Sequence, residues 1–275
     1  MKYSEYAYQF IRQLMLGLIG HVEAFRFLRA ERPWRGIWRY RWAVMLLGGM
    51  ALVVGLLFLS ELVAFLQVAP EAVAAQGAVS EAGIGKSLPA LEWEQFEWVM
   101  GNGYKYLVLI FLEILVFHVT RQTLELRTGI ETDSSFRAFL HAEWRMIRVA
   151  LRSWIGESIT IILVNIALSV VLLGWLKGLA SFFIQCYYIG LAFMDNYNEV
   201  YGDSISESIQ NTRKVAGAAV AVGVVAYWLM YLPLVGVVLA TLSGAVAATL
   251  VLLRLQPRSL PSSSAPAETP PALGN

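Results

Sequence analysis

The chain has 275 residues, of which 57% are hydrophobic and 15% charged, whereas an ordinary soluble domain carries about 25% charged residues. Twenty-one Lys and Arg against twenty Asp and Glu leave a net charge of +1, so no electrostatic bias points to nucleic acid or to acidic ligands. One cysteine, Cys186, excludes an internal disulfide framework and a cysteine-based zinc site. The apolar excess lies in runs too long for a soluble core, so the expectation is an all-α integral membrane protein.

Residues 1–41 read as an N-terminal segment lying in the membrane interface. Tyr3, Tyr6, Phe10, Ile11, Leu14, Leu18, Phe25 and Leu28 recur at near-helical spacing, with Glu5, Arg12, Gln13 and Glu23 mostly between them, the pattern of an amphipathic interfacial helix. Trp34, Trp38, Tyr40 and Trp42 alternate with arginines and suit the aromatic belt where a chain enters lipid.

The helical membrane domain is expected over 42–256. Its first span is Trp42 to Leu66, with Glu61 as its sole charge, long enough to cross with some tilt. It starts too far from the N-terminus, and lacks a small-residue cleavage site, to be a secretory signal. Residues 67–103 form an outer loop rich in Ala, Gly and Glu. Its Gly83-Ile84-Gly85-Lys86-Ser87 partly matches a phosphate-binding loop, but Ser80 stands where that pattern needs glycine. Nucleotide binding is not expected. The second span, 104–119, carries Lys105, Glu113 and His118.

Two runs of about forty apolar residues follow, 154–193 and 215–253. The first is interrupted at Gly174-Trp175-Leu176-Lys177-Gly178, the second at Pro233 and Gly236. Forty residues is twice one span, and Gly and Pro turn or break helices. Each run therefore reads as a helical hairpin, either crossing the bilayer or penetrating half of it. Between them, Ser204 followed by Glu207 has capping-box spacing and predicts a short helix. Residues 257–275 hold five of the nine prolines and three consecutive serines and are expected to be a disordered tail.

Charge orients the set. Arginines cluster before the first span (Arg26 to Arg41) and between the second span and the first hairpin (Arg121, Arg127, Arg137, Arg145, Arg148, Arg152), while the 67–103 loop is acidic. Cationic loops stay cytoplasmic, so the expectation is that both termini lie inside and both hairpin bases lie on the arginine-rich, cytoplasmic side of the membrane.

Polar groups where lipid or helix interior is expected are Glu113, Glu157, Asn165, Lys177 and Gln185. Such groups usually face a bundle interior or an aqueous path. Glu113, Asn165, Lys177 and Gln185 are thus the candidate permeation or coupling residues. Asn165 and Gln185 also suit plain interhelical hydrogen bonding. His21, His118 and His141 are scattered without metal-ligand spacing, and no hydrolase elbow is present. Neither a metal, a cofactor nor an enzyme is expected.

One resemblance adds to this reading. Gly190-Leu191-Ala192-Phe193-Met194-Asp195-Asn196-Tyr197, then Ser204-Ile205-Ser206-Glu207-Ser208, then Leu232-Pro233-Leu234-Val235-Gly236 and Ala245-Val246-Ala247-Ala248-Thr249 resemble the C-terminal half of the CysZ and etoposide-induced-protein-2.4 family of membrane proteins. Gly17, Ala24 and Arg32-Pro33-Trp34 are similar to that family's approach to its first span. The resemblance implies long spanning helices with hairpins, homo-oligomeric assembly, and sulfate or another small oxyanion as a substrate of a permease. A non-transporting membrane scaffold is the alternative within the same family. Asp195, Pro233 and Gly236 are the matched positions. The chain departs from the sulfate branch at Asp195-Asn196-Tyr197 and at Asn198-Glu199-Val200-Tyr201, where that branch has Asp-x-Pro and a basic segment.

Overall fold

The computed structural model describes residues 2–39, 41–42, 45, 109–110, 112–129, 131–232 and 235–258. Outside the described residues lie most of the expected first span, the 67–103 loop with Gly83–Ser87, Tyr104 to Val108 of the second span, Pro233, and the tail after Arg258. Among the described residues the fold is all-helical.

Helix α1, Lys2–Glu31, runs 30 residues and ends where Arg32 adopts φ +49° before Pro33. Proline disfavours the helical conformation of the residue before it, and a 3-10 turn, Pro33–Arg39, follows. Helix α2, Glu113–Thr128, closes on Gly129 at φ +71°, a left-handed cap that glycine supplies without a steric cost.

The first expected hairpin is present, but its leading arm is longer than the apolar run. Helix α3 is Phe136–Val170, 35 residues, capped by the Ser135 hydroxyl accepting from the Ala138 amide at 3.2 Å. It begins well before Trp154 because Arg137, Arg148 and Arg152 take the exposed face of its first half, and arginine is a good helix former. The break holds Leu172 at φ +58° and a 3-10 turn, Gly174–Leu176. Helix α4, Lys177–Val200, returns alongside α3, and Thr160 and Tyr188 join their hydroxyls at 3.1 Å.

Helix α5, Ile205–Lys214, starts at the expected capping box: the Ser204 hydroxyl accepts from the Glu207 amide and the Glu207 carboxylate accepts from the Ser204 amide. The chain then bends by 95° into α6, Ala216–Met230. Helix α6 ends at Met230, and α7, Gly236–Leu255, packs back on it as the second hairpin.

Helices α4 and α6 pack antiparallel and almost backbone to backbone. A Cβ on Gly190 would strike the Ala219 carbonyl, and one on Gly223 would strike the Cys186 carbonyl. Phe182 meets Tyr227 edge-on at 5.3 Å further along. This register brings both hairpin breaks to the same end of the molecule. Helix α1 crosses the other end: Gly17 lies on Ala218 and Ala221 of α6, Gly20 on Val251 of α7, and Arg254 pairs with Glu23 at 2.6 Å.

The core mixes large side chains such as Phe193, Tyr197 and Leu252 with many small ones, Ala218, Ala219, Ala226, Ala240, Ala245, Ala247 and Ala248 being fully covered. The shortness of the alanines lets helix axes approach closely, the mode of association expected in lipid. The outside is apolar instead. Leu151, Ile155, Ile159, Ile162, Ile166 and Val170 form an exposed stripe along α3, and Ile11, Met15, Ile19, Val22 and Phe25 another along α1. Helix α3, α4 with its leading turn, and α7 are each long and apolar enough to cross a membrane, and the bent α5–α6 pair makes a fourth if counted as one span.

Candidate functional site

The last turns of α4 carry Asp195, Asn196, Asn198 and Glu199 directly after a long apolar stretch, and the structure buries all but a small part of each. Four polar residues within five positions point around the whole helix, so between them they meet three neighbouring helices. Asp195 faces α3, Asn196 and Glu199 face α2, and Asn198 faces α5, donating from Nδ2 to the Ser208 hydroxyl at 3.1 Å.

The strongest contact is Arg145 with Asp195. Arg145 donates from Nε to Oδ2 at 2.9 Å and from Nη2 to Oδ1 at 2.8 Å, and its Nη1 donates to the Asp203 carbonyl at 2.6 Å. A bidentate, charge-assisted pair of this kind also fixes orientation. Asp203 in turn accepts from Asn211 and Arg258, each at 2.7 Å, which ties the residues just beyond α7 to the α4–α5 turn.

The second arginine is held less completely. Arg121 stacks its guanidinium 3.7 Å over the Phe117 ring and donates from Nε to the Asp133 carbonyl at 3.0 Å. Its Nη2 stands 3.8 Å from Glu199, and its Nη1 has no partner among the described residues. Glu113 accepts a long 3.5 Å bond from Asn196 Nδ2 through Oε2, while Glu113 Oε1 and Asn196 Oδ1 are buried without a partner among the described residues. Glu199 also lies 3.6 Å from Nδ1 of His141, whose own side chain is 71% exposed. Two guanidinium groups thus face the carboxyl groups of Glu113, Asp195 and Glu199, and with His141 neutral the three carboxylates outnumber the guanidinium groups by one unless one of them holds a proton.

Of the candidate residues read from sequence, Glu113 belongs to this cluster. Asn165, Lys177 and Gln185 do not. Lys177 is the first residue of α4, nineteen positions and therefore about 28 Å from Asn196. Gln185 sits midway, and Asn165, half-buried on α3, leaves Oδ1 without a partner among the described residues. Gly236 opens α7 against the Leu229 carbonyl, where a side chain would collide. Arg121, Arg145, Glu199 and His141 were legible only as loop charge or scattered histidine. The signal for them was the run Asp195 to Glu199, too polar to end an apolar helix without partners.

No residue group with the composition of a metal site occurs among the described residues. Compared with protein-family models, curated proteins and solved structures, the chain matches none.

Proposed function

We propose that the chain is a CysZ-like membrane permease that takes up sulfate or another small oxyanion together with protons. The observation that carries the reading is Arg121: a buried guanidinium with one nitrogen unpartnered among the described residues, beside a carboxyl oxygen equally unpartnered. Buried polar atoms normally have partners, so atoms left over in one place suit a group that comes and goes. An oxyanion takes hydrogen bonds from Arg121 Nη1 and from the Asn196 amide. An ionised Glu113 next to them repels it, so anion entry and protonation of Glu113 go together. Arg121 then supplies the countercharge.

Helix lengths and aromatic residues support one arrangement in the bilayer. The stretch Lys177 to Met194 is about 27 Å long, close to the roughly 30 Å hydrocarbon core. Exposed Trp175 and Trp228 lie towards the hairpin tips and exposed Trp144 and Trp154 towards the bases, like the two girdles that mark membrane interfaces. Both hairpins cross, with bases and termini on the cytoplasmic side of an inner membrane, and α1 lies under the bases.

Radiolabelled sulfate uptake into proteoliposomes, with and without a pH gradient, tests the function. Protein-dependent flux that grows with an inward proton gradient and is lost in Glu113→Gln supports it, and absence of any protein-dependent flux removes it. A second reading, a non-transporting homo-oligomeric scaffold, draws on the apolar stripes of α1 and α3. It predicts that Glu113→Gln and Lys177→Met alter only stability or assembly.

A further inference from the structure

Two clefts meet at the base of the hairpins. The first, about 290 Å³, is walled by Phe10 of α1, by Phe183, Ile184 and Tyr187 of α4, and by Ala216 and Val220 of α6. Its hydroxyl neighbour Thr160 is already engaged, donating to the Gly156 carbonyl at 2.7 Å and meeting the Tyr188 hydroxyl. This cleft offers hydrocarbon walls and a place for a hydrocarbon chain.

The second cleft, about 580 Å³, shares Phe10 and Ala216 with the first and is edged by Gln13, Arg213 and Lys214. Gln13 is spent on the backbone, donating to the Lys214 carbonyl at 2.9 Å and accepting from the Gly217 amide at 3.2 Å. What this cleft presents outward is positive charge. Arg213 and Lys214 are both exposed, and neither forms an ion pair among the described residues. Phe10 and Ala216 wall both clefts, and Arg213 at the edge of the second lies near Tyr187, a wall of the first. The cationic end and the apolar end are therefore one continuous groove.

We infer that this groove binds one anionic phospholipid, its acyl chain in the cleft between α1, α4 and α6 and its phosphate headgroup on Arg213 and Lys214. Charge complementarity selects the headgroup, and the largely apolar lining of the first cleft selects the chain. Phe183, a wall of the groove, is itself exposed on the apolar outside, so a lipid enters sideways from the bilayer. The inference does not depend on whether the protein transports anything.

Native mass spectrometry of the full chain in detergent, titrated with phosphatidylglycerol or phosphatidylcholine of identical acyl chains, tests it. The wild type is expected to retain phosphatidylglycerol preferentially. Removing both cations in Arg213→Ala/Lys214→Ala lowers phosphatidylglycerol affinity roughly twenty-five-fold, at about fivefold per cation, and leaves phosphatidylcholine unchanged. Plugging the shared wall with Ala216→Phe weakens both lipids. Equal retention of the two lipids by the wild type overturns the inference, as does an unchanged affinity in the exposed double variant. Complete displacement by inorganic phosphate, the mark of a free-anion site, overturns it too, and so does an acidic peptide found in place of lipid.

Discussion

Arg145 on α3 and Asp195 on α4 form a buried bidentate pair, Nε to Oδ2 at 2.9 Å and Nη2 to Oδ1 at 2.8 Å, fifty residues apart in the chain. Removing one partner leaves the other buried and charged without its counter-ion. Arg145→Met and Asp195→Leu are each expected to lose about 3–5 kcal/mol, read as a lowered thermal midpoint in detergent. The double variant recovers a large part of that loss, because an apolar pair of similar volume avoids the desolvation cost. Recovery stays incomplete, since the Asp203 carbonyl loses its donor as well. A double variant no more stable than the worse single variant shows that the pair is not what holds α3 to α4.

The α4–α6 contact gives a sharper test of close packing. At Gly190 an added Cβ meets the Ala219 carbonyl carbon at 2.6 Å, and backbone cannot rotate away as a side chain can. Gly190→Ala is expected to cost about 1–3 kcal/mol by overpacking. Gly178, in the first turn of α4, has nothing within 4 Å of the same position. Gly178→Ala is therefore neutral or stabilising by up to about 1 kcal/mol, the helix propensity difference. Equal effects of the two substitutions in a thermal melt are the result that counts against this contact.

How much of this was legible in the chain follows from the range of each interaction. Both hairpin breaks and the start of α5 were readable because their causes are local: Gly174 and Gly178 within forty apolar residues, and a serine three places before a glutamate. The extension of α3 to Phe136 was missed because arginines that orient a membrane protein are also good helix residues. Reading Arg145 and Arg121 as loop charge hid their pairing, since nothing in the sequence says which carboxylate lies opposite. Lys177 and Gln185 were grouped with Glu113 by polarity alone, whereas helix geometry strings them along α4, far apart. The crossing of α1 beneath α6 and α7 rests on Gly17, Gly20 and Gly217, and a glycine does not name the helix it faces.

His21 of α1 makes stability depend on pH. The ring is 2% exposed and donates from Nε2 to the Val222 carbonyl at 3.1 Å, while its Nδ1 has no partner among the described residues. Burial lowers its pKa from 6.5 to about 4, with the Val222 hydrogen bond pulling the other way. The unfolded chain therefore binds this proton at a higher pH than the folded one does. Stability is full above pH 6.5, declines as the pH falls towards 4, and levels off below, with a slope of at most about 1.4 kcal/mol per unit. The thermal midpoint in detergent should fall across that window, and His21→Gln should flatten the fall. An unchanged slope in His21→Gln assigns the effect to another group.

The two hairpin tips should share one accessibility. Gly190 on Ala219, Cys186 on Gly223 and Phe182 on Tyr227 keep α4 and α6 in antiparallel register, so Lys177 and Leu232 end at the same height above the Asp195–Glu199 layer. In a Cys186→Ala background, which removes the buried native thiol, a membrane-impermeant maleimide should label Lys177→Cys and Leu232→Cys from the same side. It should label His141→Cys, near the hairpin bases, only from the opposite side. About 27 Å of apolar helix and the exposed Trp175 and Trp228 put the tips at the far interface, within reach of the reagent. Labelling at 177 with protection at 232 breaks the shared height. Protection of both positions from both sides leaves the tips inside the lipid, where Lys177 then needs a partner or water to offset about 2.5–3.5 kcal/mol. An anion crossing from the Arg121 layer then has no open far end, so transport through this bundle fails on the same result.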